Sequence, residues 1–215
     1  MTPASLLVFG ATGKTGAALV DQALAAGHRV AAFVRTPAKL GPPRERLAAV
    51  MGDFADAASI RAAFDRPYDA VLFTLGIYLK DARTPLADGT GPLVEAMKEA
   101  GVRRLVLCSS FGASETAGQG PLWVRAVQHF ILKQVLIDKT AQERLVMTSG
   151  LDWTIFRPPR LVDGPGGGRV LRWTGNEAPQ APKPRWQIER ADVAAEMLRG
   201  LGDPATVGQA YQVSN

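Results

Sequence analysis

Residues 6–16, Leu-Leu-Val-Phe-Gly-Ala-Thr-Gly-Lys-Thr-Gly, constrain the fold more than any other stretch of the chain. Four apolar residues lead into Gly10, and Gly13 and Gly16 follow at intervals of three. This pattern predicts a buried strand, a tight turn and the start of a helix. Apolar residues at helical spacing follow the turn and support the helix. The chain therefore begins with a strand–turn–helix unit, the context in which a glycine motif of this kind binds phosphate.

The three glycines have distinct predicted roles in that turn. Gly10 lets the chain leave the strand sharply, Gly13 allows a phosphate to approach the backbone amides, and Gly16 lets the helix pack closely on the sheet. Three neighbouring side chains are further candidate donors to the phosphate: Thr12, Lys14 and Thr15. The alternative interpretation is a glycine-rich turn that binds no ligand.

The end of the second predicted strand, residues 28–35, indicates which dinucleotide fits. An acidic residue there hydrogen-bonds a ribose 2′-hydroxyl, whereas an arginine pairs with a 2′-phosphate. The residue is Arg35, and no Asp or Glu lies between Asp21 and Glu45. The sequence therefore predicts NADP(H) rather than NAD(H). A solvated charge at the strand end is the alternative interpretation of Arg35.

Further candidate binding residues follow the next strands. Asp53 and Phe54 come after a short third strand and are predicted to lie on the adenine side, with turn capping as an equal alternative for Asp53. The ends of the fourth and fifth strands supply the remaining candidates: Thr74, Leu75, Gly76, Ser109 and Ser110. Ligands of open parallel sheets bind at the carboxyl ends of the strands. We therefore expect these residues to lie along one edge.

Strands and helices alternate through five repeats, which predicts right-handed crossovers and a doubly wound parallel sheet. We expect a Rossmann-type, three-layer α/β/α fold in a single domain over residues 1–215. Its cofactor-binding core is predicted to cover about residues 1–110. A small C-terminal region that caps the substrate is expected within about residues 112–190.

Composition excludes several classes of function. The net charge is +5, but the arginines are scattered rather than clustered with aromatic residues, so no nucleic-acid partner is expected. Neither a membrane span nor a secretory leader is evident, which favours a cytoplasmic protein with no membrane partner. Cys108 is the single cysteine and resembles a buried core thiol. His28 and His129 are far apart and lack ligand spacing, so no metal site is expected.

Three later segments carry their own expectations. Residues 112–120 are small and polar and predict a mobile loop. Residues 121–147 read as a long helix interrupted in register, whose apolar face is expected to be core or to cap the pocket rather than to be an exposed partner surface. Residues 164–168 predict a flexible turn.

Taken together, the motifs resemble the atypical short-chain dehydrogenase/reductases, in particular the group with biliverdin reductase B (flavin reductase) and the proteins similar to the nitrogen metabolite repressor. The resemblance covers nearly the whole chain. It rests on residues 10–16, Val34-Arg35, Gly52-Asp53, Leu75-Gly76, Cys108-Ser109-Ser110, residues 149–155, Arg157-Pro158-Pro159 and residues 190–194. It implies NADP(H) binding, with Ser110 and the turn from Pro158 to Leu161 beside the nicotinamide. Arg160 stands where the biliverdin-reductase-like pattern has a histidine.

The wider superfamily reduces carbonyls with a tyrosine four residues before a lysine that lowers the tyrosine pKa. Lys139 resembles that lysine, but the position four residues earlier is Val135. A flavin, quinone or linear tetrapyrrole needs less from the protein, because its conjugated system accepts hydride and water can supply the proton. Ser110 and Lys139 are the predicted catalytic residues, with a backbone-bonded serine and a solvated lysine as the alternatives.

The sequence thus predicts an NADPH-dependent reductase of a planar conjugated small molecule, as a monomer or homodimer. A non-catalytic NADP(H)-binding regulator is the second hypothesis, because the Tyr–Lys pair is missing. An epimerase acting on sugar nucleotides is a third, disfavoured by the short chain and again by the missing tyrosine.

Overall fold

A computed structural model describes residues 2–76, 84–175, 178–180 and 182–215. Among them, the strands are β1 (Ser5–Phe9), β2 (Arg29–Val34), β3 (Leu47–Met51), β4 (Ala70–Phe73), β5 (Arg104–Cys108), β6 (Asp152–Arg157), β7 (Arg160–Val162), β8 (Leu171–Trp173), β9 (Gln187–Glu189) and β10 (Gln209–Ser214). The helices are α1 (Lys14–Ala25), α2 (Ala57–Ala62), α3 (Pro85–Glu99), α4 (Leu122–Phe130), α5 (Lys133–Met147) and α6 (Arg190–Gly202).

The main sheet has eight strands in the order β3-β2-β1-β4-β5-β6-β10-β8. All its neighbours pair in parallel except β10 and β8, which are antiparallel. The strand order reverses between β1 and β4, and a cleft for a ligand opens at such a switch point. The predicted Rossmann-type sheet is therefore confirmed, and the glycine turn after β1 lies at the switch point.

Alternation along β1 builds the two apolar layers of the fold. Leu7 and Phe9 belong to the layer that includes Met97 of α3, whereas Leu6 and Val8 belong to the layer formed with α1 and α6. Successive side chains of a strand point to opposite faces, so a run of four apolar residues fits a sheet covered by helices on both sides. This arrangement confirms the three-layer α/β/α architecture.

The interpretation of residues 121–147 as core or cap is wrong for much of its apolar face. The segment forms two helices, and α4 touches the rest of the protein through buried Val124 and Gln128. Trp123 is 54% exposed and Phe130 81% exposed. Only a narrow side of α4 is buried, and it does not include most of the apolar residues. The spacing of the apolar residues predicts a helix with an apolar side but does not indicate whether that side is covered.

Two segments expected to be mobile or flexible are fixed by specific contacts. Within residues 112–120, Thr116 is fully buried and its hydroxyl accepts a hydrogen bond from the Gly112 amide at 2.8 Å. In the glycine turn 164–168, the Gly166 amide donates to a carboxylate oxygen of Glu189 at 2.7 Å. In this second case the two residues are more than 20 positions apart in the sequence. Local composition does not predict such a contact.

Candidate functional site

The turn after β1 has the geometry that the three glycines predicted. Gly10 has a φ of +85°, and a Cβ at Gly16 would lie 2.0 Å from the Gly10 carbonyl oxygen. A Cβ at Gly10 would lie 2.7 Å from the Leu75 amide nitrogen. Since such contacts are far inside van der Waals distance, neither position accepts a larger residue without moving the backbone. The structure thus holds the turn tightly against both α1 and the end of β4.

The N-terminus of α1 is open to an anion. Gly13 is its N-cap, with no side chain capping the first amides and no acidic residue in the first turn. Gly13 is exposed, and Thr12 and Lys14 beside it are exposed as well, whereas Thr15 is buried. The partial positive charge of a helix N-terminus favours a phosphate at such a place. A diphosphate therefore fits this turn.

An ion-pair group that sequence reasoning missed closes one side of the turn. Lys14 Nζ lies 2.7 Å from Asp163, which also pairs with Arg190 at 2.5 Å. The hydrogen bond from Lys14, aided by Arg190, lowers the pKa of Asp163 below its ordinary value. Asp163 follows β7 and Arg190 opens α6, so the group joins the glycine turn to the C-terminal third of the chain. It keeps two cations beside the open helix end.

Of the residues predicted for the adenosine side, Arg35 and Asp53 are exposed near the strand ends, whereas the side chain of Phe54 is buried. Arg35 is exposed immediately after β2. Asp53 is exposed too, and one of its carboxylate oxygens accepts from the Ala55 amide at 3.0 Å, so the turn-capping interpretation holds while its adenine role stays a prediction. Phe54 is 8% exposed and packs edge-on against Phe73 in the core. Because its ring is part of the core, Phe54 could contact a cofactor only through its backbone.

The end of β4 supports the glycine turn. The Thr74 hydroxyl donates to the Phe9 carbonyl at 3.0 Å, and a Cβ at Gly16 would lie 2.8 Å from that hydroxyl. Gly76 is exposed and has open space beside it. The sequence placed Thr74, Leu75 and Gly76 at the carboxyl edge, and the structure brings them there; their contact with a cofactor stays a prediction. Tyr78 lies outside the described residues.

Lys139 bridges the ends of two neighbouring strands. Its ammonium group donates to the carbonyl oxygens of Leu75 and Cys108 and to the Gln142 side chain, each at 3.1 Å. An ammonium has three donors, so all three are engaged. Lys139 is 4% exposed, which corrects the alternative of a solvated helix lysine. Burial lowers its pKa below the ordinary lysine value, although Cys108, Glu143 and Asp138 act in the opposite direction.

The two serines after β5 differ in how exposed their hydroxyls are and in their hydrogen bonds. Ser109 is 6% exposed, and its hydroxyl has no hydrogen-bond partner among the residues that the structure describes. A buried hydroxyl without a partner costs free energy of folding, so Ser109 is an unusual feature at this strand end. The Ser110 hydroxyl is half-buried and makes one long contact, 3.4 Å, to the Phe111 carbonyl. Cys108 is buried, and burial raises the pKa of its thiol to about 11, as expected of a core thiol.

The turn between β6 and β7 meets an aromatic pair. Pro158 is buried and its carbonyl accepts from the Phe111 amide at 2.9 Å, whereas Arg160 is exposed. The ring of Phe111 lies 5.1 Å from the indole of Trp186, a residue that sequence reasoning did not select. Trp186 has a φ of +58°, a conformation that bulky residues adopt only under constraint and that clusters at functional sites.

A buried ion cluster lies behind this edge. Arg157, with no exposed side-chain surface, pairs with Glu143 at 2.7 Å and with Glu115 at 2.5 Å. Burial acts to lower the pKa of Arg157, but its hydrogen bonds to Glu143 and Glu115 outweigh burial and raise it. On the next turn of α5, Asp138 accepts from the Leu86 amide at 3.1 Å and the Ala87 amide at 2.9 Å, at the start of α3. The cluster fixes the loop after β5 and the helix that carries Lys139.

The two histidines and the acidic side chains are among the possible metal ligands of the chain. Within residues 2–76, 84–175, 178–180 and 182–215, no three His, Cys, Asp or Glu side chains are grouped as metal ligands. His28 is 1% exposed, and its Nδ1 accepts from the Ala4 amide at 3.1 Å. In the same described residues, no helix is both long enough and apolar enough to cross a membrane.

The fold and the edge just described define a dinucleotide-binding α/β protein. The chain belongs to the NAD(P)H-binding family, whose profile matches residues 10–204. This membership confirms the nicotinamide nucleotide as cofactor. The resemblance to the atypical short-chain dehydrogenase/reductases is confirmed as well.

Similar proteins extend along the whole chain. The UPF0659 protein YMR090W of Saccharomyces cerevisiae is 29% identical over 225 residues, covering 100% of this chain and 95% of its own. ChuY, an anaerobillin reductase from Escherichia coli O157:H7, superposes with a TM-score of 0.78 at 27% identity, over 98% of this chain and 96% of its own. A 3-diazoavenalumate denitrifying reductase from Streptomyces is 33% identical over 197 residues, 81% of this chain and 63% of its own. The protein is therefore an NAD(P)H-binding oxidoreductase.

Proposed function

We propose that the protein is an NADPH-dependent reductase of a planar conjugated acceptor, of the flavin, quinone or linear tetrapyrrole kind. One observation carries the proposal: Lys139 commits all three of its donors to protein acceptors, and Val135 stands one helical turn before it. At the position four residues before the lysine, valine thus replaces the tyrosine that protonates a simple ketone in the wider superfamily. A conjugated acceptor tolerates this lack, because its ring system delocalises the added electrons.

Different residues are proposed to bind the different parts of NADPH. The open end of α1 binds the diphosphate, and Arg35 pairs with the ribose 2′-phosphate, which gives the preference for NADPH over NADH. We expect the end of β5 at Ser109 and Ser110, together with the Pro158 turn, to lie on the nicotinamide side. When bound, NADPH supplies the hydride. The chain contributes orientation at near-attack distance and exclusion of side reactions.

Similarity supports the acceptor class. ChuY shares 27% identity over nearly the whole chain and is an anaerobillin reductase, which favours a tetrapyrrole-like acceptor within the proposed group. The indole of Trp186 is half-buried, packs at an angle of 57° against the buried ring of Phe111, and lies next to the Pro158 turn, so its accessible part is a candidate apolar surface for an acceptor. Aromatic surfaces of this kind stack on fused or conjugated rings.

The test is NADPH consumption with a panel of acceptors: riboflavin, FMN, a naphthoquinone, biliverdin and, as the contrasting class, simple ketones. We expect turnover with at least one conjugated acceptor and none with the ketones. The Gly13→Ala variant, purified in the same way, serves as the control for contaminating reductases, because it is expected to lose NADPH affinity. The assays use an NADPH concentration near the Kd of the wild type. Turnover that is undiminished in this variant at that concentration, or turnover of ketones alone, would contradict the proposal.

A second candidate is a regulator that binds NADP(H) without catalysis. Its specific support is the same Val135, since a binding protein has no need of the tyrosine. Tight NADP(H) binding by calorimetry, together with no turnover across the panel, favours this second candidate over the first.

A further inference from the structure

A pocket of about 330 Å³ lies in the C-terminal region, outside the cofactor edge. The short β7–β9 sheet, the glycine turn 164–168 and residues 182–185 surround it. Its volume is at the lower end of those that hold small-molecule ligands. A space of this size suits the side groups of a ligand rather than a whole fused ring system.

Three cationic side chains line the pocket without a carboxylate partner among the described residues. Arg169, Lys183 and Arg185 line it and are exposed, and no ion pair joins any of them to a carboxylate in the part of the chain that the structure describes. By contrast, the nearby Arg172 lies over the ring of Tyr211 at 4.7 Å and reaches Glu196 at 4.0 Å.

The carboxylates next to these cations are occupied by the backbone. Glu189 lines the pocket, and one of its oxygens accepts from the Gly166 amide at 2.7 Å. The neighbouring Asp192 is 3% exposed and accepts from the Gly167 amide at 2.7 Å and from Asn215 at 2.8 Å. The acidic side chains therefore build the wall of the pocket, and the basic ones remain available to an anion.

Strand alternation connects the pocket with the acceptor side of the cofactor. In the β7–β9 pair, Leu161 lies opposite Ile188, which is fully buried, so the residues before and after them point to the other face. That face carries Val162 and Glu189 at the pocket and, one step earlier, Arg160. Arg160 follows the Pro158 turn and its amide donates to the Trp186 carbonyl at 3.4 Å. A ligand beside Pro158 and Trp186 can thus extend along this face.

We propose that this pocket binds carboxylate or phosphate groups carried by the acceptor, so that the enzyme prefers acidic planar acceptors to neutral ones. The inference rests on the proposed reductase function for the identity of the ligand. A larger groove of about 520 Å³ lies on the outer side between α4 and α5 and is not lined by residues of the strand ends. It therefore does not compete as the acceptor site.

The test compares ligands that share a ring system and differ in charge. FMN is compared with riboflavin, and biliverdin with its dimethyl ester, by fluorescence or absorbance titration of the protein saturated with NADP⁺. Saturation prevents the probes from occupying the nucleotide site. Turnover with NADPH is measured separately for the same four compounds.

The variants remove charge at the pocket or elsewhere. The double variant Arg169→Ala/Arg185→Ala removes two cations from the pocket, and Arg125→Ala/Arg144→Ala removes two exposed cations from the outer groove. We expect the pocket variant to weaken binding of FMN and biliverdin by about ten-fold and to leave riboflavin and the ester within about two-fold. The outer variant should resemble the wild type for all four compounds.

The outcomes separate this inference from the proposed function. Charge-selective binding without turnover supports the anion pocket and contradicts the reductase proposal. Turnover that is equal within both pairs supports the reductase and overturns the anion pocket. The pocket is also overturned if none of the four compounds binds, or if the two double variants have the same effect.

Discussion

Substitution of Gly13 by alanine tests the diphosphate position without disturbing the fold. Gly13 has a φ of −77° and a ψ of 161°, angles that alanine adopts freely. A Cβ there would lie 3.3 Å from the Gly10 carbonyl oxygen, which requires a shift of a few tenths of an ångström. The entropy lost by the unfolded chain offsets part of this cost. We therefore expect the free energy of unfolding to change by less than about 1 kcal/mol.

The effect on NADPH affinity should be much larger. The methyl group projects from an exposed position at the start of α1, where a phosphate would approach the backbone amides. Loss of one hydrogen bond to a charged group costs about 1.5–3 kcal/mol. That loss corresponds to a rise in Kd of roughly 10- to 150-fold.

The assay pairs calorimetric titration of NADPH with thermal unfolding. Gly91→Ala is the matched control, because Gly91 lies within α3 and a Cβ there meets no atom within 4 Å. Because Pro92 follows and restricts a preceding residue that has a Cβ, any change should appear in thermal unfolding, and the Kd should stay unchanged. If Gly13→Ala folds normally and binds NADPH like the wild type, the diphosphate does not occupy this turn and the account of the site is wrong.

Three further predictions concern other parts of the site. Arg35→Ala should weaken NADPH binding by roughly 10- to 100-fold and leave NADH binding unchanged, because only the 2′-phosphate pairs with the guanidinium; equal losses for both nucleotides in calorimetry would contradict the assignment. Lys139→Met should destabilise the fold by roughly 2–4 kcal/mol in denaturant unfolding, since the Leu75 and Cys108 carbonyls lose their donor; a change below about 0.5 kcal/mol would show that these bonds contribute little. The hydrogen bond from Arg157 lowers the pKa of Glu115 although burial acts to raise it, so its stabilisation is complete above the ordinary glutamate pKa and is lost as the pH falls through the lower folded value. The Tm difference between wild type and Glu115→Gln should accordingly close in acid, and a difference independent of pH would refute this linkage.

The fold was accessible from sequence because its signals are local. The turn at Gly10, the apolar run before it and the strand–helix alternation each occupy a few consecutive residues, and each dictates one element of a doubly wound sheet. The same locality explains why the candidate residues at the strand ends were brought to one edge. Parallel strands place their carboxyl ends together, whatever connects them.

The parts that sequence reasoning missed depend on distant partners. Lys14 and Asp163 are 149 residues apart, and Arg157 reaches back 42 residues to Glu115. Nothing in the spacing of these charges selects the pairs. One signal was available for Arg157, since a charged residue at the end of an apolar strand must find a partner when that strand is buried. The α4 face was misread for the related reason that amphipathic periodicity does not identify what covers the apolar side.

The three hydrogen bonds of the Lys139 ammonium group limit the possible proton donors more than the missing tyrosine does by itself. A lysine with a free N–H could still deliver a proton to an acceptor, but here the Leu75 and Cys108 carbonyls and Gln142 occupy every donor. Ser110 keeps a half-exposed hydroxyl with one long contact, so among residues 2–76 and 84–175 that hydroxyl is the better-placed proton source of the two predicted catalytic side chains. Lys139 thus positions the ends of β4 and β5. This arrangement is what the proposed reductase function requires, because a conjugated acceptor holds the added charge in its ring system until solvent protonates it.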